Sequence, residues 1–212
     1  MLLAMRHYAY ALALLATVSL SIGCSPHKYS LRPYVEIDKD FSPDEAEKIL
    51  TGMDVWATSS NATFLDPVFV SHLQIIADWE ANPDAPHIFF YHNSVAKDPA
   101  CPFGPLPGSS LAATHTENYN NNNAIVCVDP LVGLKSDTYQ WAMTHEIGHA
   151  LGLPHLEQPV PGGGVLMFWE YGIHSAQVPT CLDLSALAQV HPGEQDVPDN
   201  CMIWHNEVVD GE

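Results

Sequence analysis

Apolar and polar side chains alternate along Tyr34-Val35-Glu36-Ile37-Asp38, the period-two pattern of a half-buried strand. A helix start follows, with Ser42 as N-cap, Pro43 at the first helical position and Glu45 three residues after the cap, which together form a capping box. Ala46, Ile49, Leu50, Met53 and Trp56 then recur at helical spacing and predict one apolar face turned to a core. Ala62 to Leu65 reads as a short strand, and Val68 to Trp79 as a helix or an insertion. His87–Tyr91, Leu111–His115 and Ala124–Val128 are β-type runs, the last two separated by a turn-prone, asparagine-rich stretch from Asn118 to Asn123. Ala96 to Ser110, with four prolines, is a loop. One strong helix is predicted from about Ser136 to Leu151. A shorter one begins near Thr180, where Asp183 completes a second capping box and Leu184, Leu187, Ala188 and Val190 form the apolar face. Several strands followed by helices make an α+β domain, expected over residues 34–212.

The residues before it have a different character. Arg6, an apolar run from Ala9 to Leu20 and the small-residue stretch Ser21-Ile22-Gly23 read as an export signal. The run is short for a membrane-crossing helix. Leu20-Ser21-Ile22-Gly23-Cys24 resembles the lipobox of bacterial lipoproteins, with Ser21 where a leucine is usual. That resemblance implies cleavage after residue 23, a lipid on the Cys24 sulfur, and a tether over residues 24–33. Ordinary signal cleavage nearby is the alternative. Either route places the protein outside the cytoplasm, lipid-anchored in a bacterial cell envelope or secreted.

Composition narrows the partners. Seven Lys and Arg against 25 Asp and Glu leave a formal charge of −18. Nucleic-acid binding is thereby disfavoured, since it needs cations to displace phosphate counterions. Adsorption to an anionic bilayer through a basic patch is disfavoured too, so a lipid anchor would be the only membrane contact. The cysteine count is five, an odd number. Setting Cys24 aside leaves Cys101, Cys127, Cys181 and Cys201, an even set expected to pair in an oxidising compartment. Four cysteines allow three connectivities; the local pairs Cys101–Cys127 and Cys181–Cys201 are preferred, each closing a loop-rich stretch.

Chemistry concentrates in His145-Glu146-Ile147-Gly148-His149-Ala150-Leu151-Gly152-Leu153-Pro154-His155. Histidines four apart on a helix emerge on one face, one turn from each other, a spacing suited to two nitrogen ligands on one Zn²⁺. Glu146 sits beside the first ligand, placed to take a proton from a water activated by the metal. Gly152 permits the left-handed backbone that ends a helix, Pro154 prevents resumption, and His155 can return as a third ligand. Three protein ligands leave a position open, the mark of a catalytic zinc site. The other nine histidines show no ligand spacing.

This run resembles the signature of the metzincin clan of zinc endopeptidases, matrixin-like members above all. Gly162-Gly163-Gly164-Val165-Leu166-Met167 resembles the clan's methionine turn, with Met167 twelve residues after His155. The resemblance implies a metzincin-like catalytic domain: a mixed twisted sheet, an N-terminal helix, an active-site helix, a Met-turn and a C-terminal helix. Met167 would lie beneath the zinc ligands, and Leu111 to His115 would form the edge that binds extended peptide. It further implies a monomeric endopeptidase acting on protein or peptide, with Glu146 as general base. Phe168 and Trp169 stand where some relatives carry a tyrosine, so a tyrosine stabiliser is not implied. Calcium is compatible with oxygen donors such as Asp129, but no calcium-loop pattern is present.

An aminopeptidase or other small-substrate hydrolase stays open on the motifs alone, and two further alternatives accompany this expectation. In gluzincin-type hydrolases a downstream glutamate is the third ligand, and Glu170 lies 21 residues after His149. A surface lipoprotein that holds zinc or a partner without turnover is the other; a complete Glu146 argues against it.

Overall fold

A computed structural model of the protein describes residues 30–81, 83, 85–93, 111–116, 123–129, 136–156, 164–167 and 176–201. The expected signal segment with Cys24, the loop cysteine Cys101, and Glu170 lie outside these residues.

Among the described residues, five strands form one mixed sheet. β1 (Tyr34–Asp38) runs parallel to β2 (Leu65–Val70) on one side and to β3 (His87–His92) on the other; β3 in turn runs parallel to β5 (Ala124–Val128). β4 (Ala112–His115) closes the order β2-β1-β3-β5-β4 as the single antiparallel member, pairing Ala113 with Cys127 and Thr114 with Val126. Four α-helices complete the described fold: α1 (Pro43–Ser59), α2 (His72–Ala81), α3 (Ser136–Ala150) and α4 (Cys181–Val190). This is an α+β arrangement.

The sheet has a core on each face. Val35, Ile37, Ile88, Phe90, Val126 and Val128 pack with α1 and α3, while Phe89, Tyr91, Ile125 and Cys127 pack under Ile75 and Trp79 of α2. β5 is buried at every position and β3 at all but His87, which is why both read as continuous β-type runs. The Ser42–Glu45 capping box forms as expected at the start of α1, as does the Thr180–Asp183 box at the start of α4.

Three expectations are corrected. Leu50 is 39% exposed; the face of α1 that meets α3 instead uses Gly52, where an added Cβ would stand 2.9 Å from Ile147 Cδ1 and 3.2 Å from the Thr144 amide. The stretch from Ala62 to Trp79 divides into a strand, β2, and a helix, α2. Val68 and Phe69 are half exposed on this edge strand, so no period-two signal marks it, and Pro67 is tolerated at an edge. Finally, Leu31 is buried in the core and its carbonyl accepts from Thr63 N at 2.7 Å, so packing begins inside the expected tether. Cys181 and Cys201 are disulfide-bonded. Cys127 is also disulfide-bonded, its expected partner Cys101 lying outside the described residues.

Polar groups interrupt the α2 face of the sheet. Asp38 is fully buried and accepts from His72 Nδ1 at 2.5 Å, while the Tyr91 hydroxyl bonds His72 Nε2. This chain ties the start of α2 to β1 and β3. Further along β1, burial and the nearby Asp78 carboxylate push the Glu36 carboxyl up to about 7. The folded state therefore favours protonated Glu36, and its contribution to stability is lost as pH rises from the usual 4.5 through about 7. Glu36→Gln is expected to match wild type near pH 4.5 and to exceed it at pH 8. Allowing for solvent screening, the gain is about 1–2 kcal/mol, or ~2–4 °C in Tm for each kcal/mol. Thermal melts at the two pH values check this; equal differences at both would refute it.

Candidate metal centre

The site is built on the last two turns of α3. Trp56 Nε1 donates to the Thr144 carbonyl at 2.7 Å, fixing α3 against α1 one residue before His145. Gly148 faces the turn at 165–167. A Cβ there would lie 2.3 Å from Met167 Sδ and 2.9 Å from Trp56 Cζ2, so a larger residue would have to displace the Met167 thioether and the Trp56 ring from the helix between the two histidines. Met167 is fully buried at this contact.

The end of α3 is a Schellman motif. Gly152 adopts φ +97°, its amide donates to the His149 carbonyl at 2.8 Å, and the Leu153 amide reaches back to the Gly148 carbonyl at 3.0 Å. The chain then reverses, and Leu156 N donates to Met167 O at 2.8 Å. Helix end, returning segment and turn are thus locked together, with His155 between them.

This construction brings His145, His149 and His155 into one group whose ligand atoms lie within 4.8 Å of one another, and which could hold a metal ion. His149 Nε2 and His155 Nε2 stand 3.1 Å apart. Two nitrogens on one tetrahedral zinc, at the usual bond lengths, would be ~3.3 Å apart. His145 Nδ1 donates to the Leu166 carbonyl at 2.8 Å and His149 Nδ1 to the Leu153 carbonyl at 2.7 Å. A carbonyl can only accept, so both rings carry their proton on Nδ1 and leave Nε2 as a lone pair, the arrangement in which a histidine is held ready to ligate a metal. Burial lowers the His145 pKa to about 3, with the His149 charge adding to it; His149 is lowered by burial, and His155 by burial and then by His149. All three shifts favour the neutral ring, the form in which a histidine ligates metal. Exposure rises from buried His145 to exposed His155, so the group opens to solvent on one side.

Glu146 lies beside these rings but has a different partner. Its Oε2 accepts from Thr114 Oγ1 of β4 at 2.6 Å. Burial raises its carboxyl to about 7, opposed by the Thr114 hydroxyl and by His155. Such a group exchanges a proton near neutrality, the property a general base needs.

The turn at 165–167 is held from below by α4. Asp183 is fully buried; its Oδ2 accepts from Leu166 N at 3.1 Å and its Oδ1 from Met167 N at 3.0 Å, while Oδ2 also caps α4 through Thr180 N and Oγ1, both at 2.7 Å. One carboxylate thus serves a helix cap and the turn whose Leu166 carbonyl orients His145. The capping role was legible as Thr-x-x-Asp; the clamp on the turn was not, since it joins residues 16 and 17 apart. Thr114 and Gly148 likewise carried no sequence signal of their own.

A second group, Asp38, Asp40 and His72, also could hold a metal ion. Two of its members are already engaged: His72 Nδ1 bonds Asp38 and Nε2 bonds Tyr91, so ligation would break an existing chain. His72 shows no ligand spacing in the sequence, and the fold brings it into this group. Asp129, the candidate oxygen donor for calcium, accepts from Asn93 Nδ2 at 2.7 Å. The chain matches no protein-family model and no curated protein. Among the described residues no helix is long and apolar enough to cross a membrane.

Proposed function

We propose that the protein is a zinc-dependent endopeptidase of metzincin type, cutting peptide bonds with Glu146 as general base. The observation that carries this reading is the convergence of three imidazoles on one another beside a buried carboxylate that is not among them. A site that only stored metal would have no use for a carboxyl held near neutrality by burial. Two features support the reading: the Met167 side chain of the turn at 165–167 packs against Gly148, and β4, which has no strand on its outer side among the described residues, lies next to Glu146.

The nitrogen-rich donor set and the three-plus-one layout fit zinc. Zinc, when bound, supplies Lewis acidity for the scissile carbonyl and makes water acidic enough to lose a proton near neutral pH. The chain does the rest. His145, His149 and His155 hold the ion, and the carbonyls of Leu166 and Leu153 fix the first two rings in ligating orientation. Glu146 accepts the proton from the attacking water and returns it to the departing amine. β4 offers main-chain groups to an extended peptide, so the proposed substrate is a protein or peptide in strand conformation. His155 within the cluster favours the metzincin set over one completed by Glu170.

The test is cleavage of a randomised peptide library by the mature protein, with and without a chelator and with zinc restored. Chelator-sensitive cleavage of internal bonds is expected. Its absence, with one zinc bound per chain, would refute the peptidase in favour of a binding protein. His155→Ala is expected to lose the zinc and Glu170→Ala to keep it; the reverse would point to the gluzincin arrangement.

A further inference from the structure

Thr114 makes a contact with no part in the chemistry described above. The residue lies in β4, paired with Val126 of β5, and among the described residues β4 has no strand on its other side. Its hydroxyl reaches across to α3, 2.6 Å from Glu146 Oε2 and 3.0 Å from the Glu146 carbonyl. A hydroxyl has one proton to donate, and the shorter distance falls in the range of a charge-assisted bond to a carboxylate. Threonine is β-branched, with few side-chain rotamers open to it, so a sheet-bound hydroxyl is a rigid anchor. Glu146 otherwise has a flexible side chain within electrostatic reach of His155.

We propose that Thr114 is a positioning residue, which holds the Glu146 carboxylate beside the histidine cluster and off the metal. This rests on the peptidase reading and deepens it. Because the same residue lies on the edge strand offered to the peptide, alignment of the base and docking of the substrate share one short strand. A carboxylate released from Thr114 can turn towards the ion as a fourth protein ligand, blocking the position that must stay open for catalysis.

Thr114→Val keeps the shape and removes the hydroxyl; Thr114→Ser keeps the hydroxyl. Thr114→Val is expected to lower kcat at least about tenfold, with KM within about twofold and one zinc per chain, and Thr114→Ser to recover most of the loss. In the cobalt-substituted protein, Thr114→Val is expected to change the visible spectrum through added carboxylate ligation. The same change should be missing from the Thr114→Val, Glu146→Gln double variant. A Thr114→Val protein with wild-type kcat and spectrum would overturn the proposal, as would a loss of kcat explained by lost zinc or lost folding. Wild type without chelator-sensitive cleavage would instead remove the peptidase reading, and the cobalt spectra would still decide whether Thr114 keeps Glu146 off the metal.

Discussion

Glu146→Gln is expected to lower kcat by roughly 10²–10⁴ while the protein still binds one zinc per chain. The two outcomes separate because Glu146 and the ligands are different groups in different bonds. His145 and His149 are oriented by the carbonyls of Leu166 and Leu153, neither of which involves Glu146. A glutamine amide oxygen can still accept from Thr114, so the side chain should stay in place and only its basicity should go. In the metal-free protein the same variant should gain stability above pH 7. Burial raises the wild-type carboxyl to about 7, so the wild-type fold loses stability as pH climbs through that value and the glutamine variant does not. Zinc content, kcat and apo-protein melts at pH 5 and pH 8 check all three parts. Unchanged turnover in a zinc-loaded variant would remove Glu146 from the mechanism.

The candidate metal ligands were legible because they are local. His145 and His149 are set by helix periodicity, and Gly152 and Pro154 spell out the reversal that returns His155; the left-handed φ at Gly152 and the Schellman bonds fulfil that expectation. What supports these residues was not legible, because it is assembled across the chain. Thr114 is 32 residues from Glu146, and its role depends on β4 lying beside α3. Gly148 reads as a neutral helix position until the turn at 165–167 is seen to fill the space a Cβ would need. Trp56 read as one of several core residues, yet it also bonds α3 88 residues away.

The fold divides along the same line. Strands buried on both faces, such as β3 and β5, and helices with full capping boxes are visible in sequence, because the signal needs no knowledge of neighbours. β2 was missed because its surroundings are those of an edge: Val68 and Phe69 are exposed and Pro67 interrupts it. Leu50 failed for a related reason. Helical periodicity gives the direction of an apolar stripe, but the width that is covered depends on which residues permit close approach, and here that is Gly52.

Asp183→Ala should be the most destabilising single change around the centre, costing about 3–5 kcal/mol. Its carboxylate is fully buried and accepts four hydrogen bonds. Two come from the amides of Leu166 and Met167, both buried, and each buried donor left unsatisfied costs roughly 1–3 kcal/mol. Loss of the helix cap adds about 1 kcal/mol. Thr180→Ala removes only one cap hydroxyl and should cost about 1 kcal/mol or less, so the pair of variants separates the clamp on the turn from the cap on α4. The clamp also acts at a distance. With the turn loosened, the Leu166 carbonyl no longer holds His145, and zinc affinity should fall about 10- to 100-fold, the usual effect of losing an outer partner of a metal ligand. Denaturant unfolding with the Cys181–Cys201 disulfide intact measures the first effect, and competition with a zinc chelator the second. An Asp183→Ala protein as stable as Thr180→Ala would show that the turn at 165–167 stands without α4, and that His145 is oriented by α3 alone.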